Sequence, residues 1–289
     1  MQTFTKLLLP AALMLLPAAA ATAQVSVYSQ DRHGSIYLSI GTSMPSYKAS
    51  TIHIKQGALG NDFELQNVTA DDESNKSSSI LSSNFRVGYF FSYEQDWGVE
   101  LNYDPISYHV TDGQTVPLKG MLAGAVVDKT VLFSKSNGYS YYLNGANLVL
   151  VNVVKRFGIY KNKMHTFYLD ALVKAGVGPV MPSISNNIDG KATTNPSFQV
   201  SGWNAGVEPA VRATIYRHAY AEVAWKYDYA SYSGLNVYSG TAKQKVTSMQ
   251  FIFSLGYTFS TTKWNPRFNK VQKERKIMTI GSMNNGEVN

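Results

Sequence analysis

Ser107-Tyr108-His109 sets a hydroxyl and an imidazole two residues apart, with the carboxylate of Asp104 just upstream. Residues two apart on an extended chain share a face, so an imidazole base there could activate the serine as a nucleophile. Asp71-Asp72-Glu73 is a run of carboxylates that could hold a divalent cation or stand solvated in a loop. The chain has no Cys and five His in 289 residues. Thiolate chemistry, disulfides and Cys-based metal sites are therefore excluded, and little material remains for a His-rich site. The sequence implies no metal and no cofactor.

A larger charged set recurs with a regular spacing. Arg86, Glu100, Asp104, Asp170, Lys174, Glu208, Arg212, Glu222, Lys226 and Asp228 comprise six acids and four bases. Each stands on the polar face of a segment whose other face is apolar. In 203–215, Trp203, Ala205, Val207, Pro209, Val211, Ala213 and Ile215 alternate with Asn204, Gly206, Glu208, Ala210, Arg212 and Thr214. Phe85, Val87, Tyr89 and Phe91 alternate with Asn84, Arg86 and Gly88, and Phe251, Phe253, Leu255, Tyr257 and Phe259 with Ser254 and Gly256. Period two is the signature of a strand with different surroundings on its two faces. Strands of soluble domains run to about 5–6 residues, whereas a tilted strand crossing a bilayer needs roughly 9–11. Several of these segments reach the longer length.

Eight such strands can be placed, with one between Tyr141 and Arg156 whose register is obscured because Leu148 to Val151 is apolar on both faces. Short connections at 93–96, 157–163 and 216–218 alternate with long polar ones at about 45–79, 111–140, 181–196 and 233–245. The first long connection is rich in Ser, Asn, Asp and Lys and reads as mobile, while the second is unusually apolar at 118–127 and 131–133. The second could fold over the barrel mouth or present a binding surface, and a hairpin continuing the strands above the membrane is the leading expectation. The pattern predicts an all-β fold: a closed antiparallel up-and-down transmembrane β-barrel with long extracellular loops and short periplasmic turns. A sheet in hydrocarbon must close on itself, because lipid offers no partner for N–H or C=O. Aromatic side chains should mark the two interfaces. Tyr93, Trp97, Tyr257 and Phe259 map to the periplasmic rim, and Tyr108, Trp203, Tyr227 and Tyr229 to the outer one. Pro209 cannot donate to the ladder, and a bulge there is expected. A soluble lipocalin-like barrel or sandwich is the competing reading.

The two ends of the chain differ from its middle. Lys6, the apolar run 7–20 and the small-x-small site Ala21-Thr22-Ala23 form an export signal. The expected organisation is a signal peptide at 1–23, an N-terminal periplasmic segment at 24–34, the barrel at 35–259 and a basic periplasmic tail at 260–289. The tail has six basic residues against Glu274 and Glu287, which supplies +4 of the chain's formal +7. A basic tail in that compartment could meet anionic lipid headgroups, and nucleic acid is not an expected partner.

On this pattern the chain resembles the small eight-stranded outer-membrane barrels of Gram-negative bacteria, a group that includes porin-like, structural and lipid A-modifying members. Short runs such as Asn102-Tyr103-Asp104 and Asn144-Gly145-Ala146-Asn147 also resemble uncharacterised barrels of Bacteroidota. The resemblance implies an outer-membrane location with both termini periplasmic. It implies outer-membrane lipids and lipopolysaccharide as surroundings, and an extracellular partner reached through the long loops. Eight strands leave a lumen about wide enough for side chains to fill, so the inward charges form either a paired network or a narrow polar path. The leading expectation is a non-enzymatic structural or surface-interaction protein. The alternatives are a narrow channel for ions or small solutes and a lipid A-modifying enzyme.

Overall fold

The computed structural model describes residues 34–72, 83–91 and 96–260. The export signal, most of the N-terminal segment, the basic tail beyond Ser260, and Tyr93 lie outside them. Fifteen strands make one sheet. In chain order they are β1 (Ser35–Tyr47), β2 (Ser50–Gln56), β3 (Asn61–Val68), β4 (Ala70–Asp71), β5 (Asn84–Phe90), β6 (Trp97–Asp104), β7 (Tyr108–Val110) and β8 (Gln114–Leu122). They continue as β9 (Ala125–Phe133), β10 (Ser140–Lys161), β11 (Phe167–Ile188), β12 (Lys191–Asn195), β13 (Gly202–Ile215), β14 (Ala219–Val237) and β15 (Gly240–Ser260).

Eight of the strands form a ring in the order β1-β5-β6-β10-β11-β13-β14-β15. The ring closes where β1 pairs antiparallel with β15, from Ser35 opposite Ser260 to Tyr47 opposite Ser248. Its outer surface is apolar and open: Leu38, Val87, Leu101, Val153, Val207, Phe253 and Leu255 are each 43–55% exposed. Monomeric soluble proteins do not present a continuous apolar belt of this kind. With every ring strand paired on both sides and the apolar face outward, this is a transmembrane β-barrel.

The short connections cluster at one end, the turn end. Between β13 and β14, Tyr216 and Arg217 both have positive φ, 51° and 65°. That is the mirror-image two-residue turn, whose twist suits a hairpin. Pro209 faces outward on β13, and the expected bulge is absent. Val207 still faces Tyr227 and Ala210 faces Ala224 in one unbroken register, and pairing with β14 lapses only at residues 208 and 209. Proline therefore removes a donor without shifting the strand. On β10 the doubly apolar stretch resolves into Val149 and Val151 outward, with Leu148 and Leu150 buried in the interior.

At the other end the long connections are strands: the first where the sequence suggested a mobile polar loop, the second as the hairpin the sequence suggested, β8 with β9. β10, β11, β14 and β15 simply continue past the ring. The hairpins β2–β3 and β8–β9 are added to the edge of β15, through Thr241 opposite Lys55 and Phe63 opposite Gly120. Ala123-Gly124 and Asp189-Gly190 close their hairpins with two positive φ angles each. This cap encloses its own core, including Ile52, Phe63, Leu65, Tyr108, Val116, Phe133, Tyr141, Leu143, Ile184, Tyr232 and Leu235. The described part of the first long connection is thus built of strands, and alternate residues of 50–68 bury Ile52, Ile54, Phe63 and Leu65. The strands of this first connection read as loop because their outward residues are Thr, His, Lys, Asp and Glu.

Candidate functional site: a charged layer across the lumen

The register of the ring brings the ten charged positions into one layer. β11 and β13 place Lys174 opposite Glu208 and Asp170 opposite Arg212, and β13 and β14 place Arg212 opposite Glu222. β5, β6 and β14 then contribute Arg86, Glu100, Asp104, Lys226 and Asp228 from the facing wall. None of the ten is more than 3% exposed, so each charge must find its counter-charge within the lumen.

Lys174 is the hub. Its ammonium lies 3.0 Å from Glu100 Oε2, 3.1 Å from Glu208 Oε1 and 2.7 Å from Glu222 Oε1. Arg86 Nη1 ties the same carboxylates from the other side, at 2.5 Å from Glu208 Oε1 and 3.3 Å from Glu100 Oε1. Arg212 Nε and Nη2 both bond Glu222 Oε2, at 2.7 and 2.6 Å. Lys226 holds Asp104 at 2.6 Å and lies 3.8 Å from Asp228. Neutral donors complete Glu100: the Tyr37 hydroxyl donates to Oε2 at 2.9 Å and Asn152 Nδ2 to Oε1 at 3.3 Å. Asp170 is also buried in this interior.

The layer is closed above and below by apolar packing. Toward the turn end, Tyr37, Phe90 and Tyr220 fill the lumen, and Leu172 and Ile252 pack beside them at the level of the charges. Tyr37 and Phe90 stack with centroids 5.1 Å apart, and the Arg212 guanidinium lies 4.1 Å from the Tyr220 ring and 4.5 Å from the Tyr37 ring. Those rings fit because two strand positions carry no side chain. A Cβ on Gly88 would meet the Tyr37 ring, and one on Gly256 the Tyr220 ring, far inside contact distance. Toward the cap, the apolar core described above covers the other side.

Arg156 also points inward from β10, buried to 7% exposure and 4.1 Å from the Phe90 ring. Its inward position is not legible in the sequence, because Leu148 to Val151 is apolar on both faces and hides the parity of that strand. Of the proposed girdle, Trp97, Trp203, Tyr227, Tyr257 and Phe259 are 40–49% exposed on the outer surface. Tyr229 also faces out, 5.7 Å from Trp203.

Tyr108 is a correction. It is 1% exposed inside the cap, with its hydroxyl 2.8 Å from Ser50 Oγ. The strand breaks at Pro105, but alternation runs on through the break: Asn102, Asp104, Ile106, Tyr108 and Val110 are all buried. The parity of β6 therefore carries Tyr108 inside rather than onto the outer rim. Burial pushes its hydroxyl pKa up to about 12.

The residues with nucleophile chemistry are engaged elsewhere. His109 Nε2 lies 2.8 Å from Asn144 Oδ1 and its ring packs on Tyr142 at 4.8 Å. Asp104 faces Lys226 and Arg86 in the lumen rather than His109. His33-Gly34-Ser35 also sets an imidazole and a hydroxyl two residues apart. Its Ser35 opens β1 at the turn end, and His33 lies outside the described residues. Asp71 accepts a bond from Thr111 Oγ1 at 3.2 Å, and Glu73 is likewise outside them. No group of three or more His, Asp or Glu arranged for a metal occurs among the described residues.

No protein-family model matches the chain, and no curated protein matches it. Among solved structures it is similar to the outer membrane protein OprG of Pseudomonas aeruginosa, at 16% identity over 78% of this chain and 96% of that one, with a TM-score of 0.39. It is similar to Neisserial surface protein A at 9% identity over 78% and 97% of the two chains, with a TM-score of 0.36. A third likeness is to Ail, the attachment invasion locus protein of Yersinia pestis, at 13% identity over 78% and 99%, with a TM-score of 0.30. The barrel assignment rests on the strand pairing and the apolar belt of this chain.

Proposed function

We propose that this is a non-conducting, non-enzymatic barrel of a Gram-negative outer membrane, whose role is structural or lies in surface interaction through its cap. The N-terminal export signal in the sequence supports delivery across the inner membrane. Short turns then face the periplasm, with both termini, and the β-built cap stands outside. The observation that carries the reading is the order of layers along the lumen: apolar, charged, apolar. A hydrated ion would have to displace Tyr37 and Phe90 at one end and the cap core at the other. It would also have to break ion pairs that stand in place of water for ten charges. What remains available for function is the outside of the cap, a platform held by continuous strands.

The test is conductance of the refolded mature protein in a planar bilayer. Silent insertion is the expected result. Discrete ion-conducting steps would establish the narrow channel instead and turn Arg86, Glu100, Lys174 and Glu208 into selectivity positions.

A further inference from the structure

The outer surface changes character abruptly beside β15. Reading upward along the register, Phe251 stands beside Trp225 and Met44, and Met249 beside Tyr227 and Ser46. The next outward row has Thr247 beside Tyr229, and there the Lys48 N–H donates to the Thr247 carbonyl at 3.0 Å. One row higher, Lys245 faces Ser231, which itself faces Trp203. Above that, Lys243 faces His53. Three exposed lysines thus stand on one side of the barrel, starting at the level of the aromatic rim.

These lysines differ from the paired lysines of the cap. Lys55 and Lys119 each have an acid within 4.0 Å, Asp62 at 3.7 Å and Asp128 at 3.5 Å. Among the described residues, no ion pair involves Lys48, Lys243 or Lys245. Lys48 is also held in place, with its ammonium 5.6 Å from the centroid of the Tyr227 ring. Aromatic rims lie at headgroup depth, so the three positive charges stand where lipid phosphates stand.

We propose that Lys48, Lys243 and Lys245 form a binding site for the phosphate of an anionic membrane-lipid headgroup, with the acyl chains running down the Phe251–Met44 side of the belt. This deepens the outer-membrane reading and rests on it. The lipid would contact the barrel at both ends of its own polarity, phosphate on ammonium and acyl chain on Phe251 and Met44. A free anion would gain only the first.

The test uses the refolded protein in a non-ionic detergent micelle, titrated with dioleoylphosphatidylglycerol or dioleoylphosphatidylcholine and read by native mass spectrometry. The expected result is preferential retention of phosphatidylglycerol. The variant K48Q/K243Q/K245Q should bind it at least about tenfold more weakly. Lys129→Gln, four strands further round the cap, should bind as the unaltered protein does. Equal retention of the two lipids, or unchanged retention by the triple variant, overturns the proposal. Displacement of the lipid by an equal concentration of inorganic phosphate overturns it too, in favour of a free-anion site. Insertion into phosphatidylcholine vesicles, read by heat-modifiable gel migration, is measured in parallel. The triple variant should still insert, so that its loss of the lipid reports loss of the site and not of the fold. Failure of the unaltered protein to insert would overturn the barrel reading and the site together.

Discussion

The ring and the cap are built from the same strands with opposite polarity. On the lower half of β14, Glu222, Lys226 and Asp228 point inward, while Val223 and Tyr227 face out. On its upper half the interior receives Tyr232, Leu235 and Val237, and Ser231 and Ser233 turn outward. β11 does the same, with Asp170 and Lys174 inside below, Ile184 and Ile188 inside above, and Ser183 and Ser185 outside. One continuous strand thus crosses a boundary between two solvents. Against lipid the outside must be apolar, and the charges that remain go inside and pair. Against water the outside is free to be polar, and the hydrophobic effect builds an ordinary core.

The sharpest way to break the comparison is Lys174→Met. It leaves Glu100, Glu208 and Glu222 without their shared cation, and removing one member of a buried ionic group costs about 3–5 kcal/mol. Urea unfolding from lipid vesicles should show that loss. A cost below about 1 kcal/mol would mean that the layer behaves as if hydrated. A paired substitution sharpens the contrast of outer faces. Val223→Arg, in the apolar belt, should cost about 2–4 kcal/mol, whereas Ser185→Arg, on the cap, should fall within about 0.5 kcal/mol. Equal costs in the same unfolding assay would erase the boundary drawn here. The smallest effect is alkaline. Burial raises the Tyr108 pKa from 10.0 to about 12, so the folded cap prefers the neutral hydroxyl. Its contribution is complete below pH 10 and is lost as pH rises from 10 through about 12. Near-UV circular dichroism should follow that loss in the cap, and Tyr108→Phe should reduce it.

The ring was legible because lipid forces long, regular alternation. Phe251, Phe253 and Leu255 outward against Ser254 inward can be read without a structure. The inward positions of Arg86, Glu100, Lys174, Glu208 and Glu222 follow from the same parity. Parity failed where the strand is doubly apolar: Arg156 lies on a strand whose Leu148–Val151 stretch hides its phase. Tyr108 lies past the break at Pro105, yet alternation continues from Asp104 through Ile106 to Tyr108, so strict parity places it inside, against its assignment to the girdle. The hairpin β8–β9 was legible as a continuation of the strands, whereas β2 and β3 were hidden for a different reason. Thr51, His53 and Lys55 alternate with apolar Ile52 and Ile54 as in any half-buried strand, but beside long apolar-outward segments such composition reads as loop.

By itself the sequence determined that this chain forms long strands with one apolar face, that charge lies on the other face, and that connections alternate between short and long. These are local properties, carried by period-two patterning and turn residues. The tertiary structure alone decided which charges meet. Lys174 is 74 residues from Glu100 and 48 from Glu222, and only closure of the ring puts the three carboxylates around one ammonium. It also decided that the long connections fold over the mouth. Burying Phe63, Phe133, Tyr141 and Leu235 together requires four distant segments, and no local pattern encodes that they share one core.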